Sequence, residues 1–203
     1  EIQKQITYNL FNNTGVSWSP KGDAIIYSAQ TGRGSEVIWQ GFIPLRLKSK
    51  SIYFTEGSGS SATWGNNGKI YLAKYAGDKN TDLYEYTLVS GGTGPSLEMS
   101  RKLTKHMAIE TEPAFSPDGK KLAYISDRTG TPQVYLLNLS TKKSTRLTKK
   151  GNYNSSPSWS PDGTMIAYNG VRNSKSVIFR VLVDDPLGFE TQVSPKGMQA
   201  ESP

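Results

Sequence analysis

The sequence predicts an all-β propeller built of four-stranded antiparallel blades, and three observations carry that reading. An aromatic residue followed by a tight polar turn occurs four times: Ser17-Trp18-Ser19-Pro20-Lys21-Gly22-Asp23, Thr63-Trp64-Gly65-Asn66-Asn67-Gly68-Lys69, Ala114-Phe115-Ser116-Pro117-Asp118-Gly119-Lys120 and Ser158-Trp159-Ser160-Pro161-Asp162-Gly163-Thr164. The aromatic members stand 46, 51 and 44 residues apart, a period that marks a stacked array of small units. Between them run short apolar and branched segments, and no stretch sustains a 3.6-residue period, so almost no helix is expected.

The third unit shows how one blade is written. Residues 112–115 form a short apolar strand that ends in Ser-Pro-Asp-Gly. Proline pre-sets φ at the first turn position, aspartate bonds its own backbone, and glycine takes a positive φ freely. Residues 121–126 return as a second strand, 133–138 make a third, rich in branched and aromatic residues, and 145–148 make a polar fourth. The same series recurs with second strands at 24–27, 69–72 and 165–168, third strands at 37–39, 83–86 and 177–181, and fourth strands at 52–55, 101–104 and 191–193. Repeated four-stranded meanders of this length are propeller blades. The recurring Trp or Phe is expected to wedge between neighbouring blades, where burial of so large a ring is worth about 2–3 kcal/mol.

The register also locates the blades. Leu103 and Leu147 each precede the next aromatic anchor by twelve residues, and Ile6 stands twelve before Trp18. Residues 1–8 are therefore expected to form an outer strand that completes a closing blade. Four blades are expected at about 14–55, 60–104, 111–148 and 156–194, with 195–203 beginning another, Pro203 standing where Pro113 and Pro157 stand. The expected whole is a five- or six-bladed propeller of which this chain holds four complete blades and a stray outer strand. A chain that closes by self-association stays open beside it, and a closed four-bladed ring is the weaker option.

Composition narrows the classes. The 203 residues are 35% hydrophobic, with 20 glycines and 11 prolines, which suits a turn-rich β protein; no cysteine is present for disulfides or thiolate ligation. The net charge is +7, and the densest basic cluster is Lys142-Lys143, Arg146 and Lys149-Lys150. Without interleaved aromatic residues it reads as a lysine-rich outer edge that resists strand pairing, not as a nucleic-acid surface. The longest apolar stretch, 177–183, is interrupted by Arg180 and too short to insert in a bilayer.

Residues 112–139 and 151–170, containing Ser-Pro-Asp-Gly, an aromatic-ended strand, Ser126-Asp127-Arg128-Thr129-Gly130 and Gln133-Val134-Tyr135, resemble the repeats of the TolB-type β-propeller family. The resemblance covers the third unit fully, most of the fourth, and the first two more loosely. The second unit lacks Ser-Pro-Asp, and Asn169-Gly170-Val171-Arg172 replaces Ser-Asp-Arg in the fourth. The resemblance implies a periplasmic propeller of a Gram-negative cell envelope. TolB itself docks a peptidoglycan-associated lipoprotein on its propeller and carries an amino-terminal α/β domain, of which this sequence shows no trace. Similar repeats occur in envelope proteins fused to peptidoglycan-binding domains and in the gating propellers of prolyl-oligopeptidase-like peptidases.

No residue pattern argues for an enzyme. The single histidine, His106, has no identifiable orienting partner; Gly57-Ser58-Gly59 does not match a nucleophile elbow; and the carboxylate pairs Glu110/Glu112 and Asp184/Asp185 read as loop acids. No metal site and no cofactor are expected. The loops that lead from one blade to the next, 8–15, 56–62, 105–112 and 149–156, converge at the channel mouth. Their Tyr8, Asn12, Asn13, His106, Glu110, Glu112, Tyr153 and Asn154 combine aromatic, amide and carboxylate groups suited to a protein or peptide epitope. The expected function is non-catalytic docking of an envelope protein. A substrate-gating propeller of a peptidase is the alternative, and a glycan-binding propeller the weaker third.

Overall fold

A computed structural model describes residues 13–31, 34–43, 46–52, 59–75, 80–91, 94–185, 187–195, 199–200 and 203. They form sixteen strands and no helix. Blade 1 comprises β1 (Asn13–Trp18), β2 (Ala24–Thr31), β3 (Gly34–Ile43) and β4 (Arg46–Ile52). Blade 2 comprises β5 (Gly59–Trp64), β6 (Lys69–Tyr75), β7 (Thr81–Gly91) and β8 (Gly94–Lys102). Blade 3 contains β9 (Glu110–Phe115), β10 (Lys121–Ser126), β11 (Gln133–Asn138) and β12 (Ser144–Arg146), and blade 4 contains β13 (Asn154–Trp159), β14 (Met165–Arg172), β15 (Lys175–Leu182) and β16 (Glu190–Gln192). Each sheet is an antiparallel meander in chain order. The expected outer strand at 1–8 lies outside the described residues.

The Ser-Pro-Asp-Gly turns form as their chemistry dictates. In blade 3 the Ser116 hydroxyl donates to Asp118 Oδ1 at 2.7 Å, and the same oxygen accepts the Lys120 amide at 3.0 Å. The Gly119 amide reaches Ser116 O at 3.0 Å, with Gly119 at φ +74°. Blade 4 repeats this with Ser160, Asp162 and Gly163. Blade 2, which lacks the aspartate, keeps the geometry through Asn67, whose amide oxygen accepts the Lys69 N–H at 3.0 Å.

Two fourth strands start earlier than the residues predict. β4 begins at Arg46 and not at 52, and β8 begins at Gly94 and not at 101. In blade 2 the reason is the glycine-rich segment 91–94: Gly91 pairs with Gly94, so the hairpin arms lengthen on both sides.

Three of the four core clusters lie between blades, and the fourth, Ile25, Tyr27, Ala29 and Ile38, lies on blade 1. Blades 2 and 3 share Tyr71, Leu83, Leu103, Leu122, Tyr124 and Leu137, with Phe115 packed against them. Blades 3 and 4 share Ile125, Val134, Leu147, Ile166, Tyr168 and Val181, with Trp159 at the edge. Blade 1 meets blade 2 through Ile26, Val37, Ile70, Leu72 and Tyr84, joined by Trp39 and Trp64. The wedge role therefore holds at three positions. Phe115 stacks on Tyr71 of the preceding blade with ring centres 4.8 Å apart, and the Trp159 indole N–H donates to Ala114 O at 2.8 Å. Trp18 departs from it and is 61% exposed. The inner strands β1, β5, β9 and β13 pack in sequence, whereas among the described residues β13 does not pack on β1 in the same way.

Candidate functional site

Each inner strand carries one extra residue. The register slips between Thr14 and Ser17, between Ser60 and Thr63, opposite Tyr124 in β9, and between Ser155 and Ser158. At these bulges Gly15, Ser61, Glu112 and Ser156 all take positive φ, from +50° to +63°. Three of the four are not glycine and so carry strain of about 1 kcal/mol or more each. A bulge re-aims its side chain, and here all four residues line one central channel of about 920 Å³, walled further along by Trp64, Phe115 and Trp159. Glu112 crosses to the next blade inside it: its Oε2 accepts the Ser156 amide at 2.5 Å.

The loops above the channel are held by polar side chains buried beneath them. In the loop between blades 2 and 3, Asp82 Oδ1 accepts Thr104 Oγ1 and the His106 amide, both at 3.4 Å, while Lys102 pairs with its other oxygen at 2.6 Å. Asp127 Oδ1 accepts the Ile109 amide at 2.9 Å, which ties this loop to the β10–β11 hairpin. The His106 Nδ1 accepts the Ala108 amide at 3.2 Å, so this tautomer carries its proton elsewhere.

Under blade 3, Arg128 binds the Glu110 carboxylate, donates to the Tyr124 hydroxyl at 2.8 Å and lies over the Tyr135 ring at 4.8 Å. Burial pushes the Tyr124 hydroxyl up to about 12. Blade 4 lacks Ser-Asp-Arg, yet Arg172 stands in the place of Arg128. It lies over Phe179 at 4.5 Å and donates to Asn154 Oδ1, Lys150 O and Glu190 Oε2 at 3.0–3.1 Å. Asn154 Nδ2 also donates to Lys150 O at 3.0 Å, and Gln133 Nε2 to Gly151 O at 3.0 Å. The loop between blades 3 and 4 is thus pinned from below. Gly151 takes φ +78°, a conformation that favours glycine, and a Cβ there would fall 1.9 Å from Arg172 Nη1, which would have to shift.

The residues singled out in the sequence separate into distinct places. Tyr8 and Asn12 lie outside the described residues. Asn13, Glu110, Glu112 and Asn154 sit in inner strands and not in loops, because the bulge lets each strand continue above the channel. Glu110 and Asn154 are fully buried and support the loops. His106 and Tyr153 are exposed, Tyr153 by 49%. Two neighbours of His106, Met107 at 89% and Ile109 at 52% exposed, were not singled out. Their signal was an apolar run, Met107-Ala108-Ile109, in a loop between strands. Among the described residues no group of three or more metal-ligating side chains forms.

Residues 47–203 match the family model described as TolB beta propeller domain. The Tol-Pal system protein TolB of Bordetella pertussis is 33% identical over 61% of this chain and 26% of its own length. The Helicobacter pylori protein of the same name is 26% identical over 70% of this chain and 32% of its own length. The chain therefore spans about a third or less of these curated relatives. Among solved structures, TolB from Acinetobacter baumannii superposes with a TM-score of 0.76 at 22% identity, covering 98% of this chain and 47% of that one. A puromycin-hydrolyzing peptidase of Mycobacterium tuberculosis superposes with a TM-score of 0.66 at 14% identity, over 94% of this chain and 30% of that one. Likeness at these identities is a likeness of fold. With the family model spanning most of the chain and the four blades in view, this chain belongs to the TolB beta propeller domain family.

Proposed function

We propose that this chain is a non-catalytic docking propeller of the Gram-negative cell envelope, working in the periplasm. Its partner on this reading is an envelope protein, a peptidoglycan-associated lipoprotein or another subunit of an envelope complex, captured at the loop face and channel mouth. The observation that carries the reading is the pairing of exposed apolar tips with rigid bases. Met107, Ile109 and Tyr153 project from loops whose backbones are bonded to Asp82, Asp127, Gln133 and Arg172. Pre-ordered loops spare the entropy that binding would otherwise consume, and exposed aromatic or thioether side chains serve as anchors. His106 and the channel residue Glu112 would supply polar contacts beside them, with Asn13, next to the channel-lining Thr14, as a further candidate contact. Glu110 and Asn154 act beneath the surface, as supports. The matched Tol-Pal proteins support the envelope setting.

The test uses the periplasmic domain of the peptidoglycan-associated lipoprotein from the same genome, immobilised for interferometry. Tyr153→Ala and Met107→Glu should each weaken capture roughly tenfold, the loss typical of one anchor residue, with the melting temperature unchanged. Glu112→Ala should weaken capture with a small loss of stability, since Ser156 loses its acceptor. Capture unaffected by all three substitutions would refute the reading. A substrate-gating propeller of a peptidase is the second reading. It rests on fold likeness to peptidase propellers and predicts a hydrolase domain elsewhere in the same polypeptide.

A further inference from the structure

Blades 3 and 4 part at their outer edges around a groove of about 400 Å³, which shares no residue with the channel. Leu136, Leu147 and Val183 form its floor, while Lys121, Lys143, Arg146 and Lys149 face Asp184 and Asp185 across it. Both acids are engaged locally. Asp184 pairs with Lys121 Nζ at 3.2 Å. Asp185 accepts the amides of Phe189 at 2.9 Å and Leu187 at 2.8 Å, which hold its carboxyl below the ordinary range. Arg146 turns back into its own blade, donating to Thr148 O at 2.6 Å and Thr129 Oγ1 at 3.3 Å. Lys143 and Lys149 are exposed at the groove, and Lys143 has no acidic partner among the described residues.

Beside the lysines lies an apolar shelf. Leu187 and Phe189 are 66% and 67% exposed on the turn that leads into β16. Gly188 holds the shelf against the groove at φ +62°: a Cβ there would meet Leu147 O at 3.0 Å and Lys149 Cδ at 3.5 Å. The lysine of blade 2 that corresponds to Lys121 is Lys69, and it is tied to Thr87 within its own sheet at 2.6 Å.

We propose that this groove binds an acidic, amphipathic peptide segment of a partner protein. Its carboxylates would meet Lys143, and an apolar side chain would cover Leu187 and Phe189. Charge complementarity argues for an acidic ligand, and the adjacent exposed Leu and Phe argue for one that also carries apolar groups. A bare polyanion would leave that shelf uncovered.

The probe is a fluorescein-labelled octapeptide of alternating glutamate and leucine, read by fluorescence anisotropy. Glutamine–leucine and glutamate–serine octapeptides serve as controls, and a single-stranded oligonucleotide as competitor. Saturable binding is expected, weakening as salt rises. Lys143→Glu should weaken it by about tenfold, equivalent to 1.4 kcal/mol, and Phe189→Ser should weaken it several-fold, with unchanged melting curves. Tyr153→Ala should leave it unaltered, which separates this groove from the channel mouth. The proposal is overturned if either control peptide binds as well, or if Lys143→Glu and Phe189→Ser change nothing. It is overturned equally if the oligonucleotide binds and loses affinity in the same variants, which would assign the groove to a phosphate polymer.

Discussion

Trp159 and Trp18 occupy the same position in two copies of one repeat but meet different surroundings, so replacing each by alanine separates the packing argument from the sequence pattern. Trp159 is half-buried against the core shared by blades 3 and 4 and donates its indole N–H to Ala114 O. A ring that buries about 100–150 Å² contributes roughly 2.5–4 kcal/mol at about 25 cal/mol per Å². The lost hydrogen bond adds about 1 kcal/mol. Trp159→Ala should therefore cost about 3–5 kcal/mol, a fall in melting temperature on the order of 10 °C for a chain of this length. Trp18 is 61% exposed, and its replacement should cost about 1–2 kcal/mol. Urea denaturation followed by circular dichroism measures both. Equal losses, or a larger loss at Trp18, would show that the ring at Trp159 does not fill a gap between blades.

Arg128→Ala should destabilise by about 3–5 kcal/mol, because it strands the fully buried Glu110 carboxylate; the double variant with Glu110→Ala should recover part of this loss in the same urea assay. Gly151→Ala should displace the Arg172 guanidinium from Asn154, Lys150 and Glu190 and cost about 1–3 kcal/mol, seen as faster amide exchange across 149–154. The turn acids set an acid limb. The Ser116 hydroxyl and then the Lys120 amide hold Asp118 below its ordinary 3.8, and the Ser160 hydroxyl with the Thr164 amide does the same for Asp162. A carboxyl lowered by folding stabilises above its unfolded value and loses that contribution as pH falls through the folded one. Asp118→Asn with Asp162→Asn should therefore flatten the loss of stability between about pH 5 and pH 2, and an unchanged acid limb would contradict the turn geometry.

The blades were legible because repetition multiplied a weak local signal: a single Ser-Pro-Asp-Gly turn says little, whereas four aromatic anchors at similar spacing define the architecture. The bulges were not legible. Nothing in Glu112-Pro113 or Ser156-Pro157 announces a left-handed residue, since the sequence signal for positive φ is glycine and of the four bulge residues only Gly15 carries it. Glu110 and Asn154 were therefore expected in loops, and Glu112 at the junction of loop and strand. The equivalence of Arg172 to Arg128 was hidden for a related reason: the motif around it changed while its aromatic platform persisted, as Phe179 in place of Tyr135. Met107 and Ile109 became visible only once their exposure was known. Trp18 shows the converse limit, because a repeat position fixes where a side chain stands but not what covers it.

The measurement closest to the central claim is hydrogen–deuterium exchange on this chain with and without the lipoprotein domain. Docking at the loop face should slow exchange at 105–112 and 149–156 and leave the turns at 116–119 and 160–163 unchanged. Protection confined to those turns, or to the outer strands, would place the docking surface elsewhere and rule out capture at the loop face.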